Sequence, residues 1–149
     1  MKRMDRKKLR LSGFDYSTNG AYFVTLCTIN RKCILSSIRK SGNYSYPEVK
    51  LTDIGLIVKK YMNNIPGITY YIIMPNHIHL IVEKENILNS VLSNDIRSFK
   101  TLVTKEVGFQ IWQSSFYDHI IRDDYDYNVH LQYINDNPIK WCEDKYYCG

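Results

Sequence analysis

The sequence predicts an α+β sandwich, a mainly antiparallel sheet with helices packed on one face. Three observations predict it. Runs rich in aromatic and β-branched residues alternate with stretches of helical apolar period, in the order strand, helix, strand, strand, helix, strand, helix. Two of those runs, 68–74 and 77–83, are separated only by Pro75-Asn76, as in a pair of strands that double back. Finally, 149 residues with 44% hydrophobic and 23% charged content suit one globular domain, and no internal repeat marks a second.

Taken in order, the chain opens with Met1-Lys2-Arg3-Met4-Asp5-Arg6-Lys7-Lys8, and residues 12–20 are rich in turn formers. Residues 21–28, A-Y-F-V-T-L-C-T, read as a buried strand, with 33–38 as a short extension of the sheet and 49–51 as a further short strand. Thr52 caps a helix whose apolar stripe is Ile54, Leu56, Ile57, Tyr61 and Ile65, and Pro66-Gly67 stops it. After the central strands, 87–107 reads as one long helix or two short ones, with Leu88, Val91, Leu92, Ile96, Phe99 and Leu102 apolar. Arg97 and Lys100 lie on its other side, as a usable basic face or a solvated one. Residues 111–121 read as a bent strand. Asp123 or Asp124 caps a last helix that Pro138 ends. The arrangement is ferredoxin-like.

The strand at 77–83 carries the chemistry. In His77-Ile78-His79 the two imidazoles share one face while Ile78 faces the other, about 6 to 7 Å apart along the strand. Such a pair can grip one metal ion, although the spacing suits two satisfied histidines as well. On the last helix Tyr133 and Asn137 are four residues apart, beside a core stripe of Tyr127, Leu131 and Ile134. The Asn137 carbonyl oxygen is a suitable third ligand.

Charge is concentrated at the N-terminus. Residues 1–10 hold six basic groups and one acid, and the rest of the chain balances to zero. An arm over residues 1–11 with Arg6, Lys7, Lys8 and Arg10 suits a phosphate backbone, and equally a solubilising tail. Residues 12–149 form the catalytic candidate. No apolar run approaches the ~20 residues that span a bilayer, and no apolar core follows the charged start. A cytoplasmic protein without membrane contact is therefore expected. The four cysteines show no C-x-x-C spacing and are expected as reduced thiols.

The segments M-P-N-H-I-H-L-I-V at 74–82, F-Y-D-H-I-I-R at 116–122 and L-Q-Y-I-N-D-N-P-I-K-W at 131–141 resemble the single-tyrosine HUH transposases, and within them the REP-associated branch and its insertion-sequence relatives. The early G-F-D-Y-S-x-x-G-A-Y-F-V-T pattern at 13–25 is similar to the same branch, so the likeness runs from about Arg10 to Trp141. It implies that His77, His79 and Asn137 hold a divalent ion, Mg²⁺ or Mn²⁺, and that Tyr133 is the nucleophile. It also implies a single-stranded, hairpin-containing DNA substrate, nicked and rejoined through a 5′-phosphotyrosine. Arg97, Lys100, His119 and Arg122 join the arm as DNA-contact candidates, with a structural role as the alternative for His119. His130 matches no ligand position. The chain is short after its long helix and after Trp141 compared with the group, which implies reduced DNA-recognition or C-terminal elements. Relatives include monomers and homodimers that exchange the tyrosine helix, and both states stay open. A domesticated, inactive hairpin-binding module is the alternative of a different class. A phosphodiesterase using activated water, which has no need of Tyr133, is the third.

Overall fold

The computed structural model describes residues 19–39, 46–84 and 92–147. The basic arm, with Arg6, Lys7, Lys8 and Arg10, lies outside them, as do Leu88 and Val91. Among the described residues, six strands and three α-helices follow in chain order: β1 (Gly20–Cys27), β2 (Ser36–Arg39), β3 (Glu48–Leu51), α1 (Asp53–Met62), β4 (Ile68–Ile73), β5 (His77–Lys84), α2 (Leu92–Val107), β6 (Tyr117–Ile121) and α3 (Asp124–Asp136).

The main sheet has the order β4-β5-β1-β6, and every neighbouring pair is antiparallel. Counting only the strands of this sheet, the order is second, third, first, fourth, the ferredoxin-like arrangement. Residues 33–38 do not extend that sheet. Ser36–Arg39 pairs instead with Glu48–Leu51 as a separate two-stranded ribbon. The expected bent strand at 111–121 divides into a single bridge between Trp112 and Thr28, then β6.

Alternation along the strands creates two cores. Val24, Leu26, Ile78, Leu80 and Val82 face α1 and α2. Ala21, Ile81 and Ile121 face Tyr127, Leu131 and Ile134 of α3. Two helices thus cover one face, and the third, the one bearing Tyr133, covers the opposite face. The buried stripe of α1 runs through Val58 and Met62, both fully buried, whereas Leu56 is 53% exposed. In α2 it runs through Leu92, Ile96, Phe99 and Val103 rather than Leu102.

The caps behave as the residue types require. Thr52 Oγ1 accepts from Gly55 N, and Asp123 accepts from Asp126 N. Gly67 turns the chain into β4 with φ of +84°, and a Cβ there would sit 2.0 Å from the Glu83 carbonyl oxygen. Cys33 is in a disulfide, unlike the expected thiol, while Cys27 and Cys142 are free. Among the described residues no helix is long and apolar enough to cross a membrane.

Candidate active site

The register of β1 brings partners to both histidines. Cys27 lies opposite His77 and Thr25 opposite His79, and on the other edge Tyr117 pairs with Thr25 and His119 with Phe23. Directly opposed residues share a face, so this row points toward α3. His77 is fully buried and His79 is 2% exposed, with ring centroids 4.6 Å apart.

Each ring is held by one nitrogen. The Asn76 amide group donates to the backbone oxygens of Arg31 and Tyr146, which turns its carbonyl oxygen to His77 Nδ1 at 2.9 Å. His77 Nδ1 therefore carries the proton and its Nε2 a lone pair. Thr25 Oγ1 holds His79 Nδ1 at 2.8 Å. At the C-terminal cap of α3, the Asn137 amide group donates to the Tyr133 carbonyl at 3.0 Å, and its Oδ1 is buried.

His77 Nε2, His79 Nε2, Asn137 Oδ1 and Trp112 Nε1 are the buried side-chain polar atoms, among the described residues, without a hydrogen-bond partner. Leaving such an atom unsatisfied costs about 1–3 kcal/mol. Three of the four belong to the residues expected to hold a metal, and two neutral imidazole nitrogens plus a carboxamide oxygen form a donor set that fits a divalent ion.

Tyr133 completes the arrangement from the same face. Its ring lies 5.1 Å from that of His79 and 5.9 Å from Phe23, and it is 42% exposed. It lines a cavity of about 540 Å³ together with His79, Tyr117, Arg31 and Lys145. Burial raises the phenol pKa above its ordinary value, against an opposing contribution from Asn137.

No family model matches the chain. It is 32% identical to an uncharacterized protein of Haemophilus influenzae, across 95% of the chain and 93% of that protein. It is 30% identical to a second protein of that organism, named "Putative REP-associated tyrosine transposase", across 85% of the chain and 74% of that protein. A solved REP-associated tyrosine transposase bound to a REP hairpin matches with a TM-score of 0.61 and 27% identity, covering 83% of this chain and 68% of that one. The chain belongs to the REP-associated tyrosine transposases.

In this family member the other expected DNA-contact residues are scattered. Lys100 donates to the backbone oxygens of Gln113 and Ser115, and burial lowers its pKa. It stands with Arg97 on α2, across the sheet from the histidines. His119 is on the histidine face but is bonded to Asp126. Arg122 is exposed, and its backbone N–H donates to Asp126.

Sequence reasoning missed four residues around the site. Asn76 and Thr25 orient the imidazoles. The Asp144 carboxylate, with its side chain 5% exposed, lies 3.9 Å from His77 Nε2. Lys145 follows it into the cavity. Asn76 sits inside the M-P-N-H motif, and its adjacency to His77 was a usable signal. Thr25, Asp144 and Lys145 are brought in by strand register and by the packing of Trp141 and Tyr146 against Cys27 and Met74.

The buried imidazoles make stability depend on pH. Loss of hydration on burial lowers His77 from 6.5 to about 4, partly opposed by Asp144, and lowers His79 well below 6.5. Below pH 6.5 the unfolded chain therefore binds more protons than the folded one, so stability falls as the pH is lowered. His77 alone accounts for on the order of 3 kcal/mol by pH 4. Thermal melts of the metal-free protein should drop steadily between pH 6.5 and 4. A melting temperature constant over that interval would contradict the burial of uncharged histidines.

Proposed function

We propose that the chain nicks and rejoins single-stranded DNA, with Tyr133 as nucleophile and a 5′-phosphotyrosine as intermediate. The observation that carries this reading is the three orphaned acceptors of His77, His79 and Asn137 on the sheet face where the Tyr133 ring meets His79. These three residues would hold Mg²⁺ or Mn²⁺, and the two nitrogen donors suit Mn²⁺ better. When bound, such an ion supplies Lewis-acid polarisation of the scissile phosphate.

The remaining work falls to the chain's own groups. The Tyr133 oxygen bonds to phosphorus as the bond from phosphorus to the 3′ oxygen breaks. The phenol loses its proton in that step, because its raised pKa keeps it protonated at neutral pH. The departing 3′ oxygen takes up a proton. A 3′-OH attacking the phosphotyrosine reverses the exchange and rejoins strands, with one phosphodiester conserved throughout. Lys145 and Arg31 at the cavity wall neutralise phosphate, and Tyr117, 60% exposed, offers a stacking surface for a base.

The solved relative's REP hairpin makes a hairpin-containing strand the substrate of choice. Residues 12–149 act as one catalytic domain in the cytoplasm, and the arm at 1–11 adds backbone attraction. The test is incubation with a hairpin oligonucleotide and Mn²⁺. A protein–DNA adduct that survives denaturing electrophoresis supports the reading. Tight hairpin binding without adduct would favour the inactive binding module.

A further inference from the structure

A second group of ligand-type side chains joins β6 to α3, and one of them, His130, lines the same cavity as His79 and Tyr133. His119 Nε2 lies 2.9 and 3.1 Å from the two carboxylate oxygens of Asp126. One helical turn further on, His130 Nδ1 lies 3.1 Å from Asp126 Oδ1, and the two imidazoles stack with centroids 4.5 Å apart. One ligand atom from each of the three residues falls within 4.8 Å of the others.

These separations are close to those of a filled site. Ligands at about 2.0–2.1 Å from a tetrahedral ion are roughly 3.3–3.4 Å apart; the two imidazole–carboxylate separations are within a few tenths of an ångström of that, and the three ligand atoms all lie within 4.8 Å of one another. The side chains of His119, Asp126 and His130 are 41%, 21% and 21% exposed, which leaves an entry path. Asp126 also accepts from the Arg122 backbone N–H, which holds its carboxylate toward the two imidazoles. His130 Nδ1 lies 2.9 Å from the Asp126 carbonyl oxygen, a contact that ligation through that nitrogen would replace. Two neutral imidazoles and one carboxylate carry a single negative charge toward a divalent ion.

We propose that His119, Asp126 and His130 form a second metal site, which takes a borderline transition-metal ion such as Zn²⁺ and clips the first half of α3 to β6. Two imidazole nitrogens with an ionised carboxylate are a ligand set that suits Zn²⁺. The clip bears on the nucleophile's helix, because the Phe23 ring touches His130 at 4.7 Å, His79 at 5.0 Å and Tyr133 at 5.9 Å. The inference is independent of the proposed DNA chemistry.

The opposing reading is a hydrogen-bonded clamp without metal, and His119→Gln separates the two. Glutamine keeps an N–H donor for Asp126 but removes the imidazole ligand. Metal-free protein is titrated with Zn²⁺ in competition with a chromophoric chelator, and folding is checked by circular dichroism. The wild type should bind two equivalents and His119→Gln one, with affinity for the lost equivalent reduced on the order of 100-fold or more. His77→Ala combined with His79→Ala should remove the other equivalent and leave this one. Equal stoichiometry in wild type and His119→Gln overturns the proposal. If His119→Gln does not fold, His130→Gln supplies the same comparison.

Discussion

Tyr133→Phe is expected to abolish the covalent adduct and to lower cleavage by on the order of 10⁴-fold or more, the scale on which removal of a nucleophile acts. The substitution deletes one oxygen and keeps the ring, so the edge contacts with His79 and Phe23 persist. Hairpin affinity and melting temperature should therefore stay near wild type. Electrophoresis of labelled oligonucleotide under denaturing conditions reads the adduct, and a mobility shift under native conditions reads binding. Cleavage that continues in Tyr133→Phe would assign attack to an activated water and remove the phosphotyrosine from the mechanism.

Replacing His77 and His79 together by alanine should be nearly as severe, through a different quantity. Without the two imidazoles the Asn137 oxygen is left as a lone neutral donor, too weak to retain a divalent ion at this face. Several kcal/mol of charge stabilisation at the phosphate then disappears, equivalent to about 10³-fold or more in rate. Calorimetric titration with Mn²⁺ should show the loss of one site. The same pair of substitutions should flatten the decline in melting temperature between pH 6.5 and 4, since the groups that titrate there are gone. A variant that keeps wild-type, chelator-sensitive cleavage would place the metal elsewhere.

Much of this arrangement was legible because it rests on local periodicities. The two-residue period of a strand puts His77 and His79 on one face, and the helical period puts Asn137 one turn beyond Tyr133. Thr52 and Asp123 announce their helices by side-chain chemistry. Elements whose meaning depends on distant partners were not legible. A strand of 33–38 looks the same whether it extends the main sheet or pairs with 48–51. The stripe of α3 says which side of the helix is buried, but not which sheet face receives it. Helical stripes also blur by one or two positions, as in α1 and α2, where Val58 and Val103 are buried and Leu56 and Leu102 are not. Thr25 and Asp144 reach the imidazoles through pairings 54 and 67 residues apart in sequence, and no local pattern encodes such distances.

The placement of α3 against its own β5 bears on a question of ownership. The Tyr133 ring and the His79 ring of a single polypeptide meet on one sheet face, so under the proposed chemistry attack in cis is expected. Mixing a subunit that lacks the phenol with one that lacks both imidazoles should then yield no more adduct than either alone. Recovery of activity in that mixture would mean that helices trade places between protomers when DNA is engaged.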